Sequence, residues 1–201
     1  MLNIPTRDEA ETYLKWAENE NPGLWTDHSR VVAKSAEKIA EKCGLNSDVA
    51  YVLGLLHDIG RYKGVTSTRH IYDGYKFMME EDFEQVAQIC MTHSFPIKDF
   101  RMYAGGTNDC NEAETNEMIE FLLNVIYTEY DLLIQLCDSL ADVKGICLME
   151  KRLMNVAMRY GVKSYSEIYW KKMFELRDYF SEKIGQSIYT LFPEVKEITF
   201  L

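Results

Sequence analysis

The sequence predicts an all-α fold. Three observations carry that prediction. Apolar residues recur three and four positions apart in one segment after another. Helix-start signals precede several segments, as in Thr6-Arg7-Asp8-Glu9 and Thr128-Glu129-Tyr130-Asp131, where a hydroxyl caps the helix and an acid three positions on reaches back. Strand-type alternation is absent, apart from a short candidate at Ile198-Thr199-Phe200.

Composition sets the frame. A chain of 201 residues can bury one sizeable core, so residues 1–201 are expected to form a single domain. No apolar run approaches the ~20 residues needed to span a bilayer, and the start, MLNIPTRDEAE, lacks the basic and apolar parts of a leader. The five cysteines are odd in number and form no CxxC pair, which fits reduced thiols and a cytoplasmic protein. A formal net charge of −10 disfavours binding to a nucleic acid polymer, which depends on neutralising phosphates. It leaves room for a small anionic partner held in a local basic pocket. No membrane partner is expected.

In chain order, Ala10, Tyr13, Leu14 and Ala17 form the inner face of a first helix, and Asn21-Pro22-Gly23 turns the chain. A second helix is expected from about Asp27 to Cys43, with Gly44 as its stop. His28 lies on its apolar face with Val31 and Val32. Taken alone, a histidine there is more often a core residue bonded to a backbone carbonyl. Ser47 and Asp48 open the third helix, whose apolar run ends in His57-Asp58-Ile59-Gly60. Adjacent side chains on a helix point about 100° apart, so His57 and Asp58 can share one ion only where the helix ends. Gly60 offers such a break through backbone angles that other residues resist.

Residues 61–69 read as a polar loop carrying Arg61, Lys63 and Arg69. These are either solvated or the edge of a phosphate site, Arg offering a fork and Lys a point charge. A helix from about His70 to Met79 holds His70 in its first turn and Gly74 one turn on, where another backbone or a ligand could come close. Asp82 reads as the next N-cap. Val86, Ile89, Cys90 and His93 share a face, so His93 points inward, and Pro96 closes that helix. Residues 94–116 form the longest loop, of a length usual for lids, binding loops or disorder. Helical character resumes at Thr115.

The helix after Thr128 is apolar nearly all round, so Asp138 needs a metal or a strong donor. Further helices follow at about Leu148–Tyr160 and after a capping signal at Ser164-Tyr165-Ser166-Glu167, the last one long and amphipathic to Ile188. Its apolar and aromatic face is core or a homodimer interface.

The stretches DHSRVVA, LGLLHDIGR, RHIYDGYKF, ICMTHS and LCDSLADV together resemble the HD superfamily of metal-dependent phosphohydrolases. The resemblance runs from about residue 26 to 145, with 146–201 as helices packing on that core. It implies an HD-type helical bundle and one or two divalent ions (Fe, Mn, Zn, Co, Ni or Mg) as cofactor. By it, His28, His57, Asp58 and Asp138 match a first metal site. His70 and His93 match positions that hold a second metal or the substrate phosphate. The implied reaction is attack on phosphorus by a metal-activated water, with Asp58 and Arg61 catalytic and Arg61, Lys63 and Arg69 binding a nucleotide or related phosphate ester. Two features set the chain apart from other subgroups. Asp73-Gly74-Tyr75 has no following proline, unlike the cyclic-di-nucleotide class, and Arg61-Tyr62-Lys63 stand where alarmone hydrolases carry an acidic pair. Di-iron oxygenases on the same scaffold, and a non-catalytic metal-binding regulatory module, are the competing readings.

Overall fold

Caps and stops set most helix limits. The computed structural model describes residues 3–200. Its helices are α1 (Arg7–Glu20), α2 (Trp25–Cys43), α3 (Ser47–Leu56), α4 (Arg69–Glu80), α5 (Glu84–Thr92), α6 (Glu112–Asn124), α7 (Glu129–Leu140), α8 (Met149–Tyr160), α9 (Ser166–Ile184) and α10 (Val195–Phe200). Short 3-10 turns occupy Ile59–Lys63, Phe100–Met102 and Ile188–Leu191. The one sheet among the described residues is an antiparallel ribbon, β1 (Ala141–Asp142) on β2 (Gly145–Ile146), with Ala141 opposite Ile146. The protein is therefore all-α.

The boxes at Thr6/Glu9 and Thr128/Asp131 form as the sequence predicts, and Asn111/Glu114 adds a third. That third box starts α6 at Glu112 rather than Thr115, because it lies in the polar stretch before the apolar period begins. The Ser164–Glu167 signal does not cap: the Ser166 hydroxyl accepts from the Lys163 N–H at 2.8 Å, inside the turn that precedes α9. Asp82 closes α4 instead of opening α5. Its N–H donates to the Met79 carbonyl and its backbone is left-handed, with φ 62°. α5 ends at His93, not at Pro96. Gly185, with φ 72°, stops α9 short of Ile188. Ile198–Phe200 is helical: the Ile198 N–H donates to the Glu194 carbonyl, a local bond that outcompetes a strand with no neighbour to pair with.

The core centres on α2, α3 and α7. Every residue of α3 from Val49 to Leu56 is buried. A Cβ at Gly54 would lie 2.9 Å from the Ala33 Cα, so the α2 and α3 backbones nearly touch there. The small residues Ala33, Ala36 and Ala40 make the same approach possible from the α2 side. α9 packs across α2 and α7. Burial of each large side chain such as Leu53 or Ile39 contributes roughly 1.5–3 kcal/mol, which suffices to hold these helices in fixed register. A smaller apolar cluster of Ile71, Met91, Phe95, Tyr103, Met118 and Leu122 anchors the long loop after α5. No described helix is long and apolar enough to cross a membrane.

Candidate metal centre and its cleft

Helix ends build the site. His57 is the last αR residue of α3, and Asp58 sits at φ −103°, ψ 13°, the sparsely used bridge between helix and strand angles. The turn at Ile59–Lys63 then swings the chain away, so two neighbouring side chains face one point. Gly60 serves that turn by close approach and not by an unusual φ. A Cβ there would overlap the His70 carbonyl oxygen and the Gly74 nitrogen, and would lie 2.9 Å from the Gly74 Cα. His93 caps the C-terminus of α5, His70 is in the first turn of α4, His28 in the first turn of α2, and Asp138 in the last turn of α7. The Thr92 hydroxyl donates to Asp131 at 2.6 Å and fixes α5 against α7 beside His93.

The six residues meet. Three overlapping sets, His28/His57/Asp58, His57/His93/Asp138 and Asp58/His70/His93, each bring ligand atoms within 4.8 Å of one another. Asp58 belongs to two sets. Its Oδ1 lies 3.1 Å from His70 Nε2 and 3.5 Å from His93 Nε2, while its Oδ2 lies 3.8 Å from His57 Nε2. His28 Nε2 is 2.9 Å from Asp138 Oδ1. The ring nitrogens on the far side are occupied. His57 Nδ1 donates to the Gly54 carbonyl at 2.7 Å, His93 Nδ1 to Cys90 at 2.8 Å, and His70 Nδ1 to Ser67. That fixes Nε2 as the lone pair aimed at the centre; on His57 it has no partner, and on His70 it lies 3.3 Å from Arg61 Nη2.

Ionisation follows burial. Burial lowers the His57 and His70 pKa values and takes His93 down to about 4, so all three rings are neutral near pH 7. For Asp58, burial alone would raise the pKa. The Arg61 guanidinium, with Nε at 2.5 Å from Oδ2, outweighs it and holds the carboxylate well below its ordinary range. Burial acts the same way on Asp138, and the hydrogen bond with His28 Nε2 at 2.9 Å outweighs it, so its pKa lies below the ordinary range. The Asp138 side chain is 25% exposed, so it faces the opening and not the protein interior that its apolar neighbours in sequence suggest.

His28, Asp58, His70, His93 and Asp138 floor a cleft of about 540 Å³, with His57 behind them, and its lining also includes Arg61, Tyr103, Arg152, Tyr160 and Trp170. Lys63 and Arg69 do not reach it. The Lys63 ammonium is 2.9 Å from Asp73, and Arg69 pairs with Glu114 at 3.0 Å and Asp73 at 3.5 Å. Buried Asp73 pairs with both cations, and neither is among the residues that line the cleft. Two residues of the long loop escape the sequence reading. Tyr103 is buried in the cleft wall, its carbonyl accepting from the Tyr165 hydroxyl at 2.5 Å. Asp109 accepts from the N–H groups of Ser67 and Arg69 at 2.6 and 2.7 Å and from the Thr68 hydroxyl at 3.0 Å. It caps α4 from a distance, since Thr68 makes no side-chain cap of its own. No periodic pattern marks either residue; Asn108-Asp109 as donors-and-acceptors in a polar loop is the only trace.

Compared with known families, residues 25–141 match the HD domain. The chain belongs to the HD domain family. Among solved structures, the crystal structure of the HD domain of the L. monocytogenes phosphodiesterase PgpH is similar in fold. It has a TM-score of 0.55 at 20% identity, over 92% of this chain and 98% of that one. No curated protein matches by sequence. Within the HD domain, the donor set fits a divalent metal. His57 Nε2 and Asp58 Oδ1 are buried without a hydrogen-bond partner, and bare nitrogen lone pairs face carboxylate oxygens. Acceptors opposed in this way need a cation between them. Imidazole with carboxylate suits first-row divalent ions and Mg. α8 and α9, which line the rest of the cleft, lie beyond the matched residues.

Proposed function

We propose that this HD domain protein is a metal-dependent phosphohydrolase acting on a nucleotide or a related phosphate ester. The observation that carries the reading is Asp58, a buried, unprotonated carboxylate shared between two ligand sets with one oxygen unsatisfied. His28, His57, Asp58 and Asp138 would hold one ion, and Asp58, His70 and His93 a second. When bound, such a metal polarises a phosphoryl oxygen and brings the pKa of a bound water toward neutrality. The chain's own residues do the rest. Backbone carbonyls orient three imidazoles, so the ligand atoms are in place before metal or substrate arrives. Arg61 lines the cleft with its side chain 27% exposed; its Nε holds Asp58 and its Nη2 lies 3.3 Å from His70 Nε2, which leaves Nη1 for phosphoryl oxygens. Tyr103, buried beside it and held neutral by that burial, narrows the site on the loop side.

A phosphate-release screen over nucleotides, dinucleotides and simple esters, run with Mn, Fe, Zn, Co, Ni and Mg, tests the reading. Release with at least one metal supports it. Metal binding with dioxygen consumption and no phosphate release from any compound would replace it with an oxygenase.

A further inference from the structure

We infer that Arg152, Arg159 and Lys163 form a second anion subsite in the cleft, so that the substrate carries a second phosphate-like group beside the one held at the His/Asp centre. The inference deepens the phosphohydrolase reading of the same cleft and rests on it.

All three cations line the cleft. Arg152, Val156 and Arg159 follow one another at spacings of four and three, so α8 presents them along one face, and Lys163 extends it past Gly161. Among the described residues no carboxylate pairs with any of them, whereas Arg177, from α9, is paired with Glu150 and Asp178. The Arg152 Nε is buried with no hydrogen-bond partner. An unsatisfied guanidinium nitrogen in a cleft is costly unless an anion completes it. Tyr169 lines the same cleft as Asp138 and Arg152, so one continuous surface joins the two regions. The lining carboxylates are Asp58, Asp138 and Asp142; the first two are engaged by Arg61 and His28, which leaves Asp142 alone against three cations. On a chain of net charge −10 such a local excess is a departure from the rest of the surface. Polyphosphates and nucleoside di- or triphosphates share the required chemistry.

The test reads binding without turnover. The full chain as purified, with its metal, is titrated calorimetrically with methylphosphonate, which has one anionic group, and with bis(methylene)triphosphonate, which has three and resists hydrolysis. The triphosphonate should bind at least about tenfold tighter, with a steeper salt dependence. Arg159→Gln with Lys163→Gln, at the solvent-facing end of the subsite, should remove most of that preference. Arg152→Gln should act the same way, with circular dichroism to show that it folds. Equal binding of the two anions by the parent, or a preference unchanged in the folded variants, overturns the subsite. An equal loss for both anions also overturns it. A third arm with methylene-bridged ATP separates the sources: tighter binding than the triphosphonate supports a subsite serving nucleotides, and equal binding supports one serving the polyphosphate chain alone. Absence of phosphate release in the substrate screen would leave these affinities readable, so the two readings fail separately.

Discussion

The inner and outer walls of the cleft are built by different rules. The inner wall consists of helix ends from α2, α3, α4, α5 and α7, and three of its four histidines, His57, His70 and His93, are tied to backbone carbonyls three residues before themselves. The outer wall consists of the loop after α5 and the helices α8 and α9. It is held by long-range side-chain bonds, such as Asp109 to the start of α4 and Tyr165 to the Tyr103 carbonyl. A ring bonded to a carbonyl three residues away is held by its own stretch of backbone and turns only by giving up that bond. A side-chain tether can be lost with the helices intact. The difference implies that the inner wall sets whether chemistry occurs, and the outer wall sets what enters and how firmly.

The largest effect should come from the residue on which the inner wall converges. Asp58→Ala should lower activity by at least about 10³-fold, more than the roughly 10–100-fold that loss of a ligand's supporting partner costs. Metal content should fall with it. The fold should survive, since Arg61 is partly exposed and its freed charge can reach water. Turnover at the parent rate after metal is restored would remove Asp58 from the site. Arg61→Ala should cost about 10²-fold in kcat/KM, whereas Lys63→Ala should stay within about threefold, because that ammonium is spent on Asp73. Equal losses in the two variants would bring Lys63 back into the cleft.

The sharing of Asp58 between two ligand sets gives the next expectation. Metal analysis of the replete protein should find about two ions per chain, falling to about one in His70→Ala. One ion in the parent, unchanged by the substitution, would give His70 and His93 to substrate phosphate instead. A fourth test addresses geometry rather than ligands. Gly60→Ala places a methyl group against the His70 carbonyl and the Gly74 backbone, where nothing can yield as a side-chain tip would. Destabilisation of about 3 kcal/mol or more is expected, at or above the usual range for overpacking. Thermal unfolding of metal-free protein measures it. A neutral result would mean that the turn and α4 can separate without harm.

Much of the inner wall was legible in the sequence for a physical reason. His28 and His93 lie on apolar helical periods, and His57-Asp58 end an apolar run, so those positions were readable locally; that all six residues belong to one site was implied by the resemblance to the HD superfamily, and Asp138 faces the opening although its sequence neighbours are apolar. The capping boxes at Thr6 and Thr128 are local and formed as expected. The outer wall was not legible. Asp109 finds its partners forty residues away, and the displacement of Lys63 and Arg69 depends on Asp73 being buried, which α4's own spacing does not reveal. Gly60 was visible as special, but its reason is a neighbouring backbone from α4, information that only packing supplies. The strand expected at Ile198–Phe200 failed similarly: local β-propensity had no sheet to join, while the ribbon at Ala141–Ile146 is too short to leave a pattern.

The smallest predicted effect probes the tether itself. Asp109 does for α4 what an N-cap does, from a loop instead of from the preceding residue. Asp109→Ala should therefore cost about 1 kcal/mol, within the range for a lost N-cap, and surface exposure keeps it from costing more. The pH dependence has a definite sign. Burial would raise the Asp109 pKa, but the N–H groups of Ser67 and Arg69 and the Thr68 hydroxyl outweigh it, so the folded value lies below the ordinary 3.8. A carboxylate with a depressed folded pKa stabilises fully above its unfolded pKa and loses that contribution as pH falls through the folded one. The stability gap between parent and variant should thus be constant from neutral pH down to about 4 and narrow below it. Denaturant titrations of both proteins between pH 7 and 3 measure the gap. Metal content at neutral pH should stay that of the parent, because His70 keeps its own bond to Ser67. If Asp109→Ala strips metal as His70→Ala does, the tether is part of the metal centre, and the division between a fixed inner wall and a replaceable outer one fails.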